Sequence, residues 1–194
     1  MRKASEERRT RETEICVSID LDGSGKTNIA TGVGFLDHML HSFAVHGRFD
    51  LEVAVEKSDL EIDCHHTVED TGIVLGKAIG KALGDKAGIA RFGSAYIPMD
   101  EALSFAAVDI SGRPFLVYDN VHKNEMIGNY ETDMTEEFFR AVAFNAGLTL
   151  HLRSLYGAND HHRIEAMFKA FAYAMAAAVK KLDSGAPVST KGVL

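Results

Sequence analysis

The sequence holds His-His-x-x-Glu twice, as His65-His66-Thr67-Val68-Glu69 and as His161-His162-Arg163-Ile164-Glu165. On a helix, residues three and four apart lie on one face, so either histidine of a doublet can meet its own glutamate. Neighbouring histidines project about 100° apart, which makes it hard for one ion to take both. A doublet seen twice therefore points to two metal ions, each drawing one imidazole from each doublet. Imidazole and carboxylate donors without a thiolate suit a first-row divalent ion such as Mn, Fe, Co or Zn better than a structural zinc. An oxygen-rich, six-coordinate site favours manganese among these. His38, beside Asp37, adds a third imidazole donor, and Glu137 stands at the matching place in the second half of the chain. The expected sets are His38, His66, Glu69 and His162 around one ion, and His65, His161, Glu165 and Glu137 around the other.

A single motif of this kind is as easily a helix start whose glutamate meets the helix dipole. The second copy, at an equivalent place in a repeat, is what argues for ligation. Cys64 reads as a free buried thiol. His41, His122 and His151 read as surface or satisfied histidines, and His46 is open to either reading. Gly23-Ser24-Gly25-Lys26-Thr27 imitates the end of a phosphate-binding P-loop, but that motif needs a glycine where this chain has Asp20. No helix start follows it either, so the segment reads as a hairpin turn.

The elements that must carry these residues can be read from periodicity. Residues 13–21, 49–55, 95–97, 103–110, 114–118 and 148–152 read as strands. Residues 35–45, 67–83, 135–146 and about 161–182 have helical spacing. The order strand, strand, helix, strand, helix occurs twice, and residues repeat with it. Ile19-Asp20-Leu21-Asp22-Gly23 answers Val108-Asp109-Ile110-Ser111-Gly112, and Phe35 to Leu40 falls opposite Met134 to Phe139. The expected fold is α+β: two similar fused β/α half-domains, each a mixed sheet packed against helices. They form a single domain of two pseudo-repeats, about 1–92 and 93–194.

Composition narrows the partners. A net charge of −7 argues against a nucleic-acid or anionic-membrane surface. Two cysteines make no disulfide framework and suit a reducing compartment. The charged N-terminus has no apolar core for a secretory signal. The apolar run from Ala170 to Val179 is too short to span a bilayer. The expectation is a cytoplasmic protein whose N-terminal arm is a frayed end or a subunit contact.

Gly34-Phe35-Leu36-Asp37-His38-Met39-Leu40, Cys64-His65-His66-Thr67-Val68-Glu69-Asp70-Thr71, Ser111-Gly112-Arg113-Pro114, Asn159 to Ala170 and Ser189-Thr190-Lys191-Gly192 together resemble the imidazoleglycerol-phosphate dehydratase family of histidine biosynthesis. The resemblance covers nearly the whole chain. It implies a ribosomal protein S5 domain 2-like fold in each half and two Mn2+ per active site. It also implies a homo-oligomer of 24 subunits with active sites between subunits. The implied reaction is a hydro-lyase step, metal-dependent dehydration of D-erythro-imidazoleglycerol phosphate to imidazoleacetol phosphate. On the same resemblance Glu12, Glu69 and Glu165 are candidates for proton transfer. His46, Arg91, Arg113, Lys169, Ser189 and Lys191, with Glu12, fall on the substrate side, the cations toward the phosphate. Family members carry a metal-ligating histidine directly before the Phe-Phe pair; Glu137 stands there in this chain, and a carboxylate can replace imidazole on manganese. The rival readings are a dinuclear metallohydrolase acting on a phosphoester and a metal-storage scaffold. The scaffold is disfavoured because ferritin-like bundles use Glu-x-x-His on four long helices.

Overall fold

The computed structural model describes residues 2–183 and 185–192, so Met1, Ser184, Val193 and Leu194 lie outside this description. The first half runs β1 (Lys3–Arg9), β2 (Glu14–Asp20), β3 (Thr27–Ala30), α1 (Gly34–Gly47), β4 (Asp50–Lys57) and α2 (His65–Leu83). The second runs β5 (Phe92–Met99), β6 (Ala102–Asp109), β7 (Phe115–Asp119), α3 (Met134–Ala146), β10 (Thr149–Tyr156) and α4 (Asp160–Ala178). A short hairpin, β8 (Met126–Ile127) with β9 (Tyr130–Glu131), is inserted between β7 and α3. The sheets have the same topology, β1-β2-β4-β3 and β5-β6-β10-β7. In each the last pair is parallel, with Thr27 beside Leu51 and Thr149 beside Phe115, and the other pairs are antiparallel. The two half-domains are therefore similar mixed sheets packed on helices.

The helices lie between the sheets. α2 covers β1 and β2, α4 covers β5 and β6, and the halves meet where α2 packs on α3 and α1 on α4. The alternation of β2 places Ile15, Val17 and Ile19 inward. One continuous core results: Phe43 stacks on Phe171 at 5.3 Å, and Phe139 lies 4.7 Å from Phe168. Two glycines let α2 and α3 approach closely. A Cβ at Gly72 would stand 2.8 Å from the Phe138 carbonyl oxygen, and one at Gly76 2.8 Å from that of Val142. No helix of the described residues is long and apolar enough to cross a membrane.

Three local expectations change. The N-terminal arm is not a frayed end but an edge strand, paired with β2 from Lys3 opposite Asp20 to Arg9 opposite Glu14. Two of its charged residues, Glu6 and Arg8, find their partners on α2: Lys81 at 2.7 Å and Asp70 at 2.7 Å. The turn at 22–25 does not close a hairpin, because β4 lies between β2 and β3. The Asp50 carboxylate holds that turn by accepting the backbone N–H groups of Ser24 and Lys26 at 2.7 and 3.0 Å. Gly23 is required there, since a Cβ would meet the Asp50 nitrogen at 2.3 Å. Finally α4 stops at Ala178 rather than near 182, and Lys181 forms a bridge to Ile89 instead.

Candidate metal centre

Both doublets sit on the first turn of a helix. The Asp63 carboxylate accepts the His65 backbone N–H at 2.8 Å, and the Asn159 side chain accepts that of His161 at 2.9 Å. Each doublet then splits. The first histidine turns toward its own glutamate, with His65 Nε2 3.5 Å from Glu69 Oε2 and His161 Nε2 3.2 Å from Glu165 Oε2. The second turns away, and its Nδ1 meets a carboxylate that sequence reasoning missed. His66 Nδ1 lies 2.6 Å from Asp59, and His162 Nδ1 lies 2.8 Å from Glu101. These contacts raise the pKa of both imidazoles above the usual value. No spacing signal marks Asp59, which sits in a loop, or Glu101, which is remote in sequence.

Because α1 packs on α4, His38 meets the second half's doublet. Its Nε2 is 3.3 Å from Glu165 Oε2, and its ring centroid is 5.7 Å from that of His161. One ligand atom from each of His38, His161 and Glu165 lies within 4.8 Å of the others, as do atoms of Glu12, Asp59 and His66. The donor His38 is thus grouped within one subunit with residues expected around the other ion, while His66, Glu69 and His162 stand apart from it. Glu165 is buried, which opposes its charge. The Lys169 ammonium, 2.8 Å from Oε1, and His38 outweigh that and hold the carboxyl below its usual range. Phe35 fixes the His161 ring edge-on at 5.0 Å.

The matching position on the first half is less closed. Glu137 and His65 line one open cleft of about 410 Å³, together with His122, Asp133 and Glu136. Arg140 lies 3.4 Å from the Glu137 carboxylate. Among the described residues no third donor closes on His65 and Glu69. His122 is satisfied by Tyr118 Oη at 3.2 Å, and burial lowers its pKa. His41 bonds Thr27 at 2.9 Å.

The remaining expected residues fall into four places. Glu12, in the β1–β2 turn, brings Oε2 to 3.7 Å from His66 Nδ1. His46 packs against Tyr173 at 5.7 Å; burial first, and then the Lys169 charge, lower its pKa. Arg91 and Arg113 flank Asp109, at 2.7 and 3.7 Å, and Arg91 also donates to the Val188 carbonyl at 2.7 Å. That contact brings the Ser189–Lys191 segment, itself closed by Lys191 N–H to Ser189 Oγ at 3.2 Å, next to Arg91. Lys169 pairs with Glu165.

The family model described as imidazoleglycerol-phosphate dehydratase matches residues 31–175. A relative of that name from Acetivibrio thermocellus is 62% identical over 194 residues, covering 100% of this chain and 99% of the relative. Another from Methylorubrum populi is 57% identical, with both chains covered completely. The crystal structure of the Staphylococcus aureus enzyme superposes with a TM-score of 0.83 at 41% identity, over 92% of this chain and 99% of that one. The Pyrococcus furiosus structure gives 0.82 at 35%, over 97% and 100%.

Proposed function

The chain belongs to the imidazoleglycerol-phosphate dehydratase family, and we propose that it dehydrates D-erythro-imidazoleglycerol phosphate to imidazoleacetol phosphate in histidine biosynthesis, using two Mn2+ ions per active site. The observation that carries this reading is the convergence of His38 Nε2, His161 Nε2 and Glu165 Oε2 at the start of α4. The donor set fits a first-row divalent ion, since it is imidazole and carboxylate, and the Cys64 thiol is engaged elsewhere by the Glu131 N–H. In this reading His38, His161 and Glu165 hold one part of the metal pair, His65, Glu69 and Glu137 another, and His66 and His162 offer their Nε2 atoms outward. A bound divalent ion supplies Lewis acidity toward the substrate's imidazole ring.

Loss of water requires a proton for the departing hydroxyl, on the carbon next to the ring, and removal of one from the neighbouring carbinol carbon. Glu12, Glu69 and Glu165 are the candidate carboxylates for these transfers. Lys169 keeps Glu165 ionised and aimed, with Oε1 on the ammonium and Oε2 toward the histidines. Arg91, Arg113, Lys169, Ser189 and Lys191 answer the phosphate; planar guanidinium forks can grip its oxygens with paired hydrogen bonds. His46 completes the substrate side. The described residues of one subunit do not gather all the donors, which favours active sites between subunits; the family resemblance implies a homo-oligomer of 24 copies, and the reading puts it in the cytoplasm.

The test is turnover of imidazoleglycerol phosphate with added Mn2+. The expected product is the ketone. Release of inorganic phosphate without ketone would replace the dehydratase by the phosphoester hydrolase. Chelation should also shrink the particle in sedimentation, and an unchanged profile would refute metal-linked assembly.

A further inference from the structure

The second histidine of each doublet makes the same contact in both halves. His66 and His162 each present Nδ1 to a carboxylate, at 2.6 and 2.8 Å, yet the two carboxylates come from unrelated places. Asp59 lies in the β4–α2 connection and Glu101 in the β5–β6 turn. A neutral imidazole carries one proton, and only the bare nitrogen can ligate a metal. A carboxylate against Nδ1 takes that proton as a donated hydrogen bond and leaves Nε2 bare.

The geometry points to Asp59 and Glu101 as positioning residues that fix the Nδ1–H tautomer and ring orientation of His66 and His162, so that Nε2 faces the metal. This rests on the reading of His66 and His162 as ligands given above. The surroundings of the two carboxylates differ in a way that makes the idea sharp. Glu101 Oε1 already accepts the backbone N–H groups of Ala158 at 2.9 Å and Asn159 at 2.8 Å, just before α4 begins. Only Oε2 is left for His162, and the side chain cannot rotate without losing those two bonds. Asp59 is 7% exposed, and its Oδ1 is buried without a partner among the described residues.

The isosteric amides should therefore behave differently. In Glu101→Gln the amide oxygen must stay on the two backbone donors, which turns the NH2 group toward His162 Nδ1. Nδ1 then has to accept, and the proton moves to Nε2, where it blocks ligation. In Asp59→Asn the oxygen can remain on His66 while the NH2 group takes the place of the unpartnered Oδ1. That keeps the ligating tautomer.

The experiment titrates Mn2+ alone into the wild type, Glu101→Gln, Asp59→Asn and His162→Ala proteins, with free ion read by electron paramagnetic resonance. Glu101→Gln should weaken binding by about 10–100-fold, the range for an outer carboxylate on a ligating histidine, and Asp59→Asn should stay below the low end of that range. Nitrogen-15 shifts of the histidines in metal-free wild-type protein at alkaline pH give a second reading that needs no variant to fold. His66 and His162 should report a proton on Nδ1; a proton on Nε2 overturns the inference. Wild-type affinity in Glu101→Gln, or equal losses in both amides, overturns it too. If His162→Ala leaves Mn2+ affinity intact, the ligand reading itself fails. Loss in His162→Ala with none in Glu101→Gln sinks only the role of the carboxylates.

Discussion

Gly76→Ala should destabilise the protein, while Gly80→Ala, one turn further along α2, should stabilise it. Both substitutions replace glycine inside a helix, which by itself favours alanine by about 0.5–1 kcal/mol. The difference lies in what the new methyl meets. At position 76 it stands 2.8 Å from Asn145 Cβ, 2.8 Å from the Val142 carbonyl oxygen and 3.1 Å from Val142 Cα. Two of these are backbone atoms of α3, so relief requires the helices to separate by several tenths of an ångström. Overpacking of this kind costs about 1–3 kcal/mol, and the rigidity of the neighbours places this case in the upper half. Net destabilisation of about 1–2 kcal/mol follows once the helix gain is subtracted. At position 80 the nearest atoms are Asn145 O at 3.4 Å and Ala146 Cα at 3.5 Å, ordinary contacts that leave the helix gain intact. For a chain of this length the melting temperature should fall by about 2–8 °C in the first variant and rise by about 1–4 °C in the second. Calorimetry on metal-free protein at one fixed concentration is the assay, since metal and assembly both shift the apparent midpoint. If Gly76→Ala melts at or above Gly80→Ala, the account of the α2–α3 contact is wrong.

Removing the ammonium beside Glu165 tests the local electrostatics. Lys169→Met should raise the Glu165 pKa, because a carboxylate only 8% exposed loses its nearest cation. The acid limb of the activity profile should move to higher pH, and an unmoved limb would refute the coupling. Asp22 ties the N-terminus to the segment after α4: Arg2 bonds it at 2.7 Å, and Lys181 at 3.3 Å. The Arg2 hydrogen bond outweighs desolvation and holds the Asp22 pKa well below its usual value. The folded chain therefore binds this proton later than the unfolded one as pH falls. The associated stability is complete above the unfolded value near 4 and is lost as pH falls toward the folded value. Asp22→Asn should flatten that part of the stability curve and cost about 1 kcal/mol or less at neutral pH, as for a partly exposed pair; urea titrations across the acid range would show it, and an unchanged slope would count against it.

The parts of the fold that the sequence made legible are those written as a local period. The inward residues of β2 and the helical spacing of α2 and α4 repeat at close range, and the His-His-x-x-Glu motifs ride on the helices. β1 was hidden because its Glu6 and Arg8 are satisfied by Lys81 and Asp70 on α2, a complementarity that no period records. The β2–β3 turn looked like a hairpin because nothing local says that β4 will insert between its arms. Asp59 and Glu101 escaped for the same reason: a loop residue and a turn residue become partners of a histidine only when the chain returns to them. The donor grouping shows the limit most plainly. The internal repeat reveals which residues are equivalent, but not which helix lies on which. Here α1 of one half packs on α4 of the other, and α2 on α3. His38 therefore joins His161 and Glu165 across the repeat boundary. Each half supplies a helix to the other's doublet, so the grouped atoms of His38, His161 and Glu165 come from both halves. The fusion of two similar halves thus brings these three donors together, and on the other side, where α2 closes on α3 at its glycines, His65 and Glu137 line one cleft.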